Sequence, residues 1–257
     1  MAALKVLILG GTTEASALAR LLAGDARFDA TLSYAGRTRA PVAQPIPWRV
    51  GGFGGPAGLA DYLRGEGIEA LVDATHPFAQ RMSWNAAEAA AITGVPLLAL
   101  RRGPWTVQPG DRWLPVADMA AAAQAIGEAP RRVFLTVGQQ ELAPFKATAQ
   151  HIYLIRSVDP PAPETLPPQA EVFTARGPFE ATAEQALLTD HAIEVIVTKN
   201  SGGSATAAKL AAARALGLPV IMVDRPRVPE VEAVETAEAA LDWLISIRHP
   251  GEGRDPL

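Results

Sequence analysis

Four short stretches of the chain carry side chains whose types and spacing suit chemistry. VTKNSGGSATAAKL (residues 197–210) sets Lys199, Asn200 and Ser201 just before the pair Gly202 and Gly203. An ammonium, an amide, a hydroxyl and glycine N–H groups would converge there at a helix start, a combination suited to a carboxylate or a phosphate. It is not a P-loop, since the lysine precedes the glycines. ARGPF (residues 175–179) adds Arg176 and Gly177 at another strand end. DATHPFAQRMSWNA (residues 73–86) ends a strand in Thr75 and His76 and opens a helix containing Ser83 and Asn85. A histidine in that place suits proton transfer, a ligand contact or simply a turn. GGTTE (residues 10–14) brings two glycines, Gly10 and Gly11, between an apolar run and an apolar-periodic helix. Such a turn lets backbone N–H groups approach a phosphate, with Thr12 or Thr13 capping the helix ahead of Glu14. The third glycine of G-x-G-x-x-G is missing, so Ala15 and Ala17 must pack helix on strand, and an ordinary capped turn accounts for the motif equally well.

The next strand bears on the choice of ligand. It runs into YAGRTRAP (residues 34–41), which offers Gly36, Arg37, Thr38 and Arg39 but no acid. An acid there would favour NAD, whereas arginine favours the 2′-phosphate of NADP; two solvated arginines on a turn are the plain alternative. GGFGGPAGL (residues 51–59) is either a simple loop, a hinge or a surface that a flat ligand approaches. Several chemistries are excluded. The chain has no cysteine, hence no disulfide, thiolate metal site or thiol nucleophile. The other histidines, His151, His191 and His249, supply no metal-like spacing, so no metal site is expected. No Tyr-x-x-x-Lys, G-x-S-x-G or H-E-x-x-H pattern occurs.

Positioning these motifs requires strands and helices in alternation. The pattern predicts strands at 4–9, 30–35, 68–74 and 96–100, with a weaker one at 46–50, and helices at 13–23, 58–64 and 80–93. A segment rich in Pro and Gly, residues 101–113, reads as a linker. The alternation then restarts, with strands predicted at 132–136, 152–156, 171–175, 193–198 and 220–223 and helices at 117–126, 180–188, 204–216 and 236–247. Residues 158–169 are too proline-rich for either regular state. The halves echo each other: VLILGGTTEA aligns with VFLTVGQQEL, placing Gly11 over Gly138 and Glu14 over Glu141, IEALVDATH aligns with IEVIVTKNS, and TGVPLLALRR aligns with LGLPVIMVDR. Three matches in one order imply two similar units. The expected fold class is therefore α/β, with two Rossmann-like parallel-sheet domains related by internal similarity, at 1–102 and 103–247, and a disordered tail at 248–257. Ligands are expected beyond the carboxyl ends of the strands, in a cleft between the domains.

Composition agrees. A chain of 257 residues, 49% hydrophobic and 19% charged, is long enough for two cores. Its net charge of −4 argues against nucleic acid or an anionic membrane as a partner. No apolar run is long enough to span a bilayer and no export signal precedes the first strand, which suits the cytoplasm.

Taken together, GGTTE, AGRT, GGFGG, DATHPFA, RGPF and TKNSGG, in this order from about residue 4 to residue 226, resemble the precorrin-6A reductase family of cobalamin (vitamin B12) biosynthesis. The resemblance implies NADPH-dependent reduction of the C18–C19 double bond of a tetrapyrrole, precorrin-6A, to precorrin-6B. It implies that Gly10, Gly11, Thr12, Thr13, Glu14, Gly36, Arg37, Thr38 and Thr75 bind the cofactor. Ser83, Arg176, Gly177, Lys199, Asn200, Ser201, Gly202 and Gly203 would meet the substrate, with His76 and Lys199 as catalytic groups. Acetate and propionate carboxylates on the substrate would explain why an acidic protein gathers Lys199, Arg176, Arg102 and Arg225 at strand ends. Two alternatives stay open, a cobalt-precorrin-6A reductase and a non-catalytic NADP-binding sensor. Function as a single chain, a monomer, is the default.

Overall fold

The computed structural model describes residues 2–36 and 42–248. The chain forms two compact units, one made of Met1–Gly103 with the segment from Arg227 onward, the other of Pro104–Pro226. The first contains β1 (Leu4–Leu9), α1 (Thr13–Leu22), β2 (Phe28–Tyr34), β3 (Trp48–Val50), α2 (Pro56–Glu66), β4 (Ala70–Asp73), α3 (Gln80–Thr93) and β5 (Leu97–Leu100). The second contains β6 (Arg112–Val116), α4 (Met119–Ala125), β7 (Arg132–Thr136), β8 (Ile152–Ser157), β9 (Ala170–Thr174), α5 (Ala181–Asp190), β10 (Val195–Lys199), α6 (Ala208–Leu216) and β11 (Pro219–Val223). The chain then returns to the first unit with β12 (Ala233–Val234) and α7 (Ala237–Arg248).

Local chemistry accounts for the elements. In α1 the buried Ala15, Leu18, Ala19 and Leu22 recur at i, i+3, i+4 and i+7, and the Thr12 side chain caps the helix by accepting from the Ala15 N–H. The strands β4 and β10 read as near-continuous apolar runs because helices cover both faces of their sheets. On one face of the first sheet, α1 and α7 enclose Val6, Ile8, Leu32, Val72 and Leu98. Residues of α2 and α3, Leu59, Leu63, Ala86 and Ala89, cover Leu7, Leu9 and Leu71 on the other face. In the second unit Leu188 of α5 and Leu210 and Ala213 of α6 pack on Phe134, Ile196 and Val220.

Both sheets are parallel throughout and share one strand order. The first runs β3-β2-β1-β4-β5-β12 and the second β9-β8-β7-β10-β11-β6. The repeat read from the sequence is thus a repeat of topology, with β1 equivalent to β7, β4 to β10 and β5 to β11. The order reverses at β1/β4 in the first sheet and at β7/β10 in the second. Open parallel sheets bind ligands at that reversal, outside the carboxyl ends of the strands.

The structure departs from the sequence-based expectation in three places. Residues 112–116, assigned to a linker or left unassigned, form the edge strand β6, paired only with β11. Pro115 fits there because an edge position tolerates a proline that cannot donate. The second unit ends at Pro226, not at 247, because α7 buries Ala237, Ala240 and Leu244 in the first unit's core. The helix expected from 204 starts at Ala208 after a 3₁₀ turn at Ser204–Thr206, because the Ala205 carbonyl accepts from the Phe179 N–H instead of from within a helix. Residues 249–257 of the expected tail lie outside the described residues.

Leu244 is fully buried against α1 and the first sheet. Leu244→Ala is expected to cost about 2–5 kcal/mol in urea unfolding, whereas a helix that merely trailed from the second unit would tolerate the change.

Candidate functional site

At the first reversal, β1 passes through Gly10 and Gly11 into α1. A Cβ on Gly10 would lie 2.8 Å from the buried Leu32 side chain of β2, which would have to shift to admit it. Gly11 is required by its backbone, at φ +123°, and a Cβ there would meet nothing within 4 Å. The turn is therefore open on the side where the first amides of α1 lack intrahelical partners, a cradle that suits a phosphate. Thr12 Oγ1 donates to the Ala74 carbonyl at 2.8 Å while accepting from Ala15, which ties the β1 turn to the end of β4. Both capacities of that hydroxyl are used in holding the turn, and Thr13 is the exposed hydroxyl beside it. Ala15, fully buried, provides the close helix–strand packing that a third glycine would supply. Glu14 pairs with Arg102, beyond β5, at 2.5 Å.

The end of β4 is organised by Asp73, which is 4% exposed. Its Oδ1 accepts from the Thr75 hydroxyl at 2.6 Å and the Thr75 N–H at 3.1 Å, its Oδ2 accepts from the Ser83 hydroxyl at 2.6 Å, and Arg101 stands 3.8 Å away. Thr75 and Ser83 are thus buried donors to one carboxylate. His76 follows, half-buried, with Nδ1 accepting from the Phe78 N–H at 3.2 Å. A neutral ring held so carries its proton on Nε2 and can donate from there. Gly36 closes β2, but Arg37 and Thr38 lie outside the described residues.

At the second reversal the donors come from β7 and β10. Lys199 Nζ and the Gly138 N–H both donate to Glu141 Oε2, each at 2.7 Å. Asn200 pairs with the backbone of Trp105 in both directions, its Oδ1 accepting at 2.7 Å and its Nδ2 donating at 3.3 Å. Arg225, the repeat equivalent of Arg102, donates to the carbonyls of Asn200 and Ser201 at 2.8 and 3.1 Å. Ser201 and Gly203 are buried, and Gly202 turns the loop at φ +72°. The RGPF loop docks on this turn: a Cβ on Gly177 would lie 2.6 Å from the Ala205 carbonyl that binds the Phe179 amide. Arg176 and the Lys199 loop are thereby brought to one end of the sheet, with Arg176 exposed.

Beneath these loops lies a buried polar cluster. Arg156 and Glu184 form a bidentate pair at 2.5 and 3.1 Å, and the Arg156 guanidinium stacks on Phe179 at 3.8 Å. Lys209 is 3% exposed, donates to the Thr206 carbonyl at 2.7 Å and lies 4.7 Å over the Trp105 ring. Burial, reinforced by repulsion from Arg156 and only partly opposed by Glu184, pushes its ammonium down to about 7.

The sequence singled out the residues of both reversals but missed the groups that hold them. Asp73, Glu141 and Trp105 drew no role, although the alignment of Glu141 with Glu14 was a usable signal. Arg102 and Arg225, expected to meet carboxylates of a ligand, are placed on Glu14 and on loop carbonyls. Among the described residues no group of three His, Asp or Glu could hold a metal ion, and no helix is long and apolar enough to cross a membrane.

A doubly wound parallel sheet with an open glycine turn and a helix N-terminus at its reversal point is the architecture of dinucleotide-binding enzymes. Comparison narrows the class. Residues 5–245 match the family described as precorrin-6x reductase CbiJ/CobK. A precorrin-6A reductase from Rhodobacter capsulatus is 55% identical over 93% of this chain and 95% of its own length. A cobalt-precorrin-6A reductase from Priestia megaterium is 30% identical over 94% of this chain and 98% of its own. The solved structure of a CobK precorrin-6A reductase superposes with a TM-score of 0.90 at 54% identity, covering 95% of this chain and 97% of that one. The chain belongs to the precorrin-6x reductase family and is an oxidoreductase.

Lys209 gives the second unit a pH dependence. In the unfolded chain it stays protonated up to about 10.5, in the fold only below about 7. The unfolded state binds the extra proton between those values, so this residue makes stability rise with pH from about 7 towards 10.5, by up to about 1.4 kcal/mol per unit. Lys209→Met is expected to flatten that rise in melts at pH 7 and 9; an unchanged slope would show that Lys209 keeps its proton in the fold.

Proposed function

We propose that the chain reduces the C18–C19 double bond of precorrin-6A to give precorrin-6B in cobalamin biosynthesis, with NADPH as reductant. The observation that carries this is the near full-length likeness to precorrin-6A reductases, joined to an open Gly10–Gly11 turn at the point where the sheet's strand order reverses. The metal-free substrate is favoured over its cobalt form because identity is far higher to the enzyme named for the former. Membership of a reductase family sets aside the non-catalytic sensor.

NADPH, when bound, supplies the hydride for the electron-poor conjugated system; a proton completes the new CH–CH bond and NADP⁺ leaves. The chain's own residues do the rest. Amides of Gly11, Thr12 and Thr13 hold the pyrophosphate, and Ala15 lets the helix come close enough for them to reach it. Gly36, Arg37 and Thr38 would hold the adenosine 2′-phosphate, for which a guanidinium is a suited partner. Thr75, fixed by Asp73, shapes the floor of the cofactor site, and Ser83 acts through the same carboxylate. In the second unit Lys199 and Arg176 receive substrate carboxylates, and the Asn200–Gly203 turn, held by Trp105 and Arg225, keeps them in place. His76, with its donor nitrogen defined by the Phe78 amide, is the residue suited to deliver the proton.

Anaerobic incubation with precorrin-6A and NADPH should oxidise one NADPH per substrate and yield a product heavier by two hydrogens. Turnover with cobalt-precorrin-6A alone would reverse the substrate preference, and none with either would overturn the proposal. Arg37→Ala should raise KM for NADPH by at least about tenfold while leaving that for NADH nearly unchanged. An unaltered NADPH/NADH preference would remove Arg37 from the 2′-phosphate.

A further inference from the structure

The second reversal point holds one of the protein's own carboxylates where everything around it is built for an anion. Two donors from different strand ends, the Gly138 N–H after β7 and Lys199 Nζ at the end of β10, converge on a single oxygen, Glu141 Oε2. The carboxylate is not locked in: its side chain is 28% exposed, against 16% for Lys199, and its backbone is held independently by the Glu141 N–H to the Gly138 carbonyl at 2.8 Å. Rotation of the side chain would release both donors and expose the carboxylate while the backbone hydrogen bond stays in place. In the first unit the equivalent acid, Glu14, is drawn away to Arg102, and the equivalent glycine, Gly11, faces open space. The glycine turn is thus open in one half and lies against an internal acid in the other.

We propose that Glu141 is a built-in competitor for the Lys199–Gly138 seat, which a tetrapyrrole carboxylate enters by displacing it; this rests on the reading that Lys199 meets a substrate carboxylate. Exchange of one carboxylate for another at the same two donors is close to neutral, since each loses and regains charge-assisted hydrogen bonds. A lone carboxylate gains nothing by it. A ligand bearing several carboxylates, anchored elsewhere on the same face by Arg176, gains an effective concentration at the seat and wins the exchange. Glu141 accordingly filters polycarboxylates from small monocarboxylates, at some loss of affinity for the former.

Glu141→Gln tests this, because the amide oxygen still accepts from Gly138 while the competing charge is gone. The probe is uroporphyrin, a metal-free tetrapyrrole bearing acetate and propionate groups, titrated by fluorescence, with acetate as a competing monocarboxylate. E141Q is expected to bind uroporphyrin about fivefold more tightly than wild type and to become sensitive to acetate, and both gains should vanish in K199A/E141Q. If K199A weakens binding but E141Q does not tighten it, Glu141 only positions Lys199 and the inference fails while the substrate assignment stands. If E141Q tightens binding equally without Lys199, the gain is general charge and the seat is wrong. Binding unaffected by K199A, or absent in every variant, overturns the carboxylate role of Lys199 together with this inference. Turnover of precorrin-6A by wild type tests the reductase reading separately.

Discussion

Both candidate sites depend on one constraint, the reversal of strand order beside β1 in one parallel sheet and beside β7 in the other. Right-handed crossovers send the chain one way from β1 through β2 to β3 and the other way from β4 to β5. The loops after β1 and β4 therefore leave the sheet side by side with helices on opposite faces, and no crossover fills the space above them. The Thr12 hydroxyl spans that gap to the Ala74 carbonyl, and in the second unit the Lys199–Glu141 pair spans the corresponding one. Chemistry-bearing residues widely separated in sequence, 12 with 74 and 141 with 199, meet for this reason alone.

From one topology the two halves have taken different electrostatic courses. Where the first unit joins its loops by a neutral hydroxyl, leaving its glycine turn clear, the second joins them through a charged pair. The arginine following the fifth strand has diverged in step: Arg102 neutralises the acid of the first turn, while Arg225, with its counterpart acid committed to Lys199, turns to the loop carbonyls. A clear turn backed by a helix N-terminus favours the evenly spread charge of a pyrophosphate. A lysine already paired with an acid offers a localised charge instead.

Much of this was legible in the sequence, and the failures share a cause. Apolar periodicity located β1, α1, β4, α3 and most of the second unit because those elements are buried on faces that their own sequence records. The edge strand β6 was missed because an edge pairs on one side only, tolerates Pro115 and exposes most of its residues. The return of α7 to the first unit could not be read, since an amphipathic helix does not state whose core it covers. At the sites, glycines and cations stood out as donors. Asp73 and Glu141 did not, because an acid among donors is recognisable as an organiser only once its partners, up to 58 residues away, are in place.

The buried cluster of Arg156, Glu184 and Lys209 explains how the second unit holds its loops without a hydroxyl such as Thr12. Burial, with repulsion from the nearby Arg156 only partly offset by Glu184, makes Lys209 yield its proton more easily. Such burial rarely adds stability over an apolar core. What it does provide is direction. Arg156 fixes the ring of Phe179 and with it the RGPF loop, while Lys209 fixes the Thr206 carbonyl and the face of Trp105, whose backbone in turn grips Asn200. Apolar packing could bury the same volume but would supply no such directional hold on these loops.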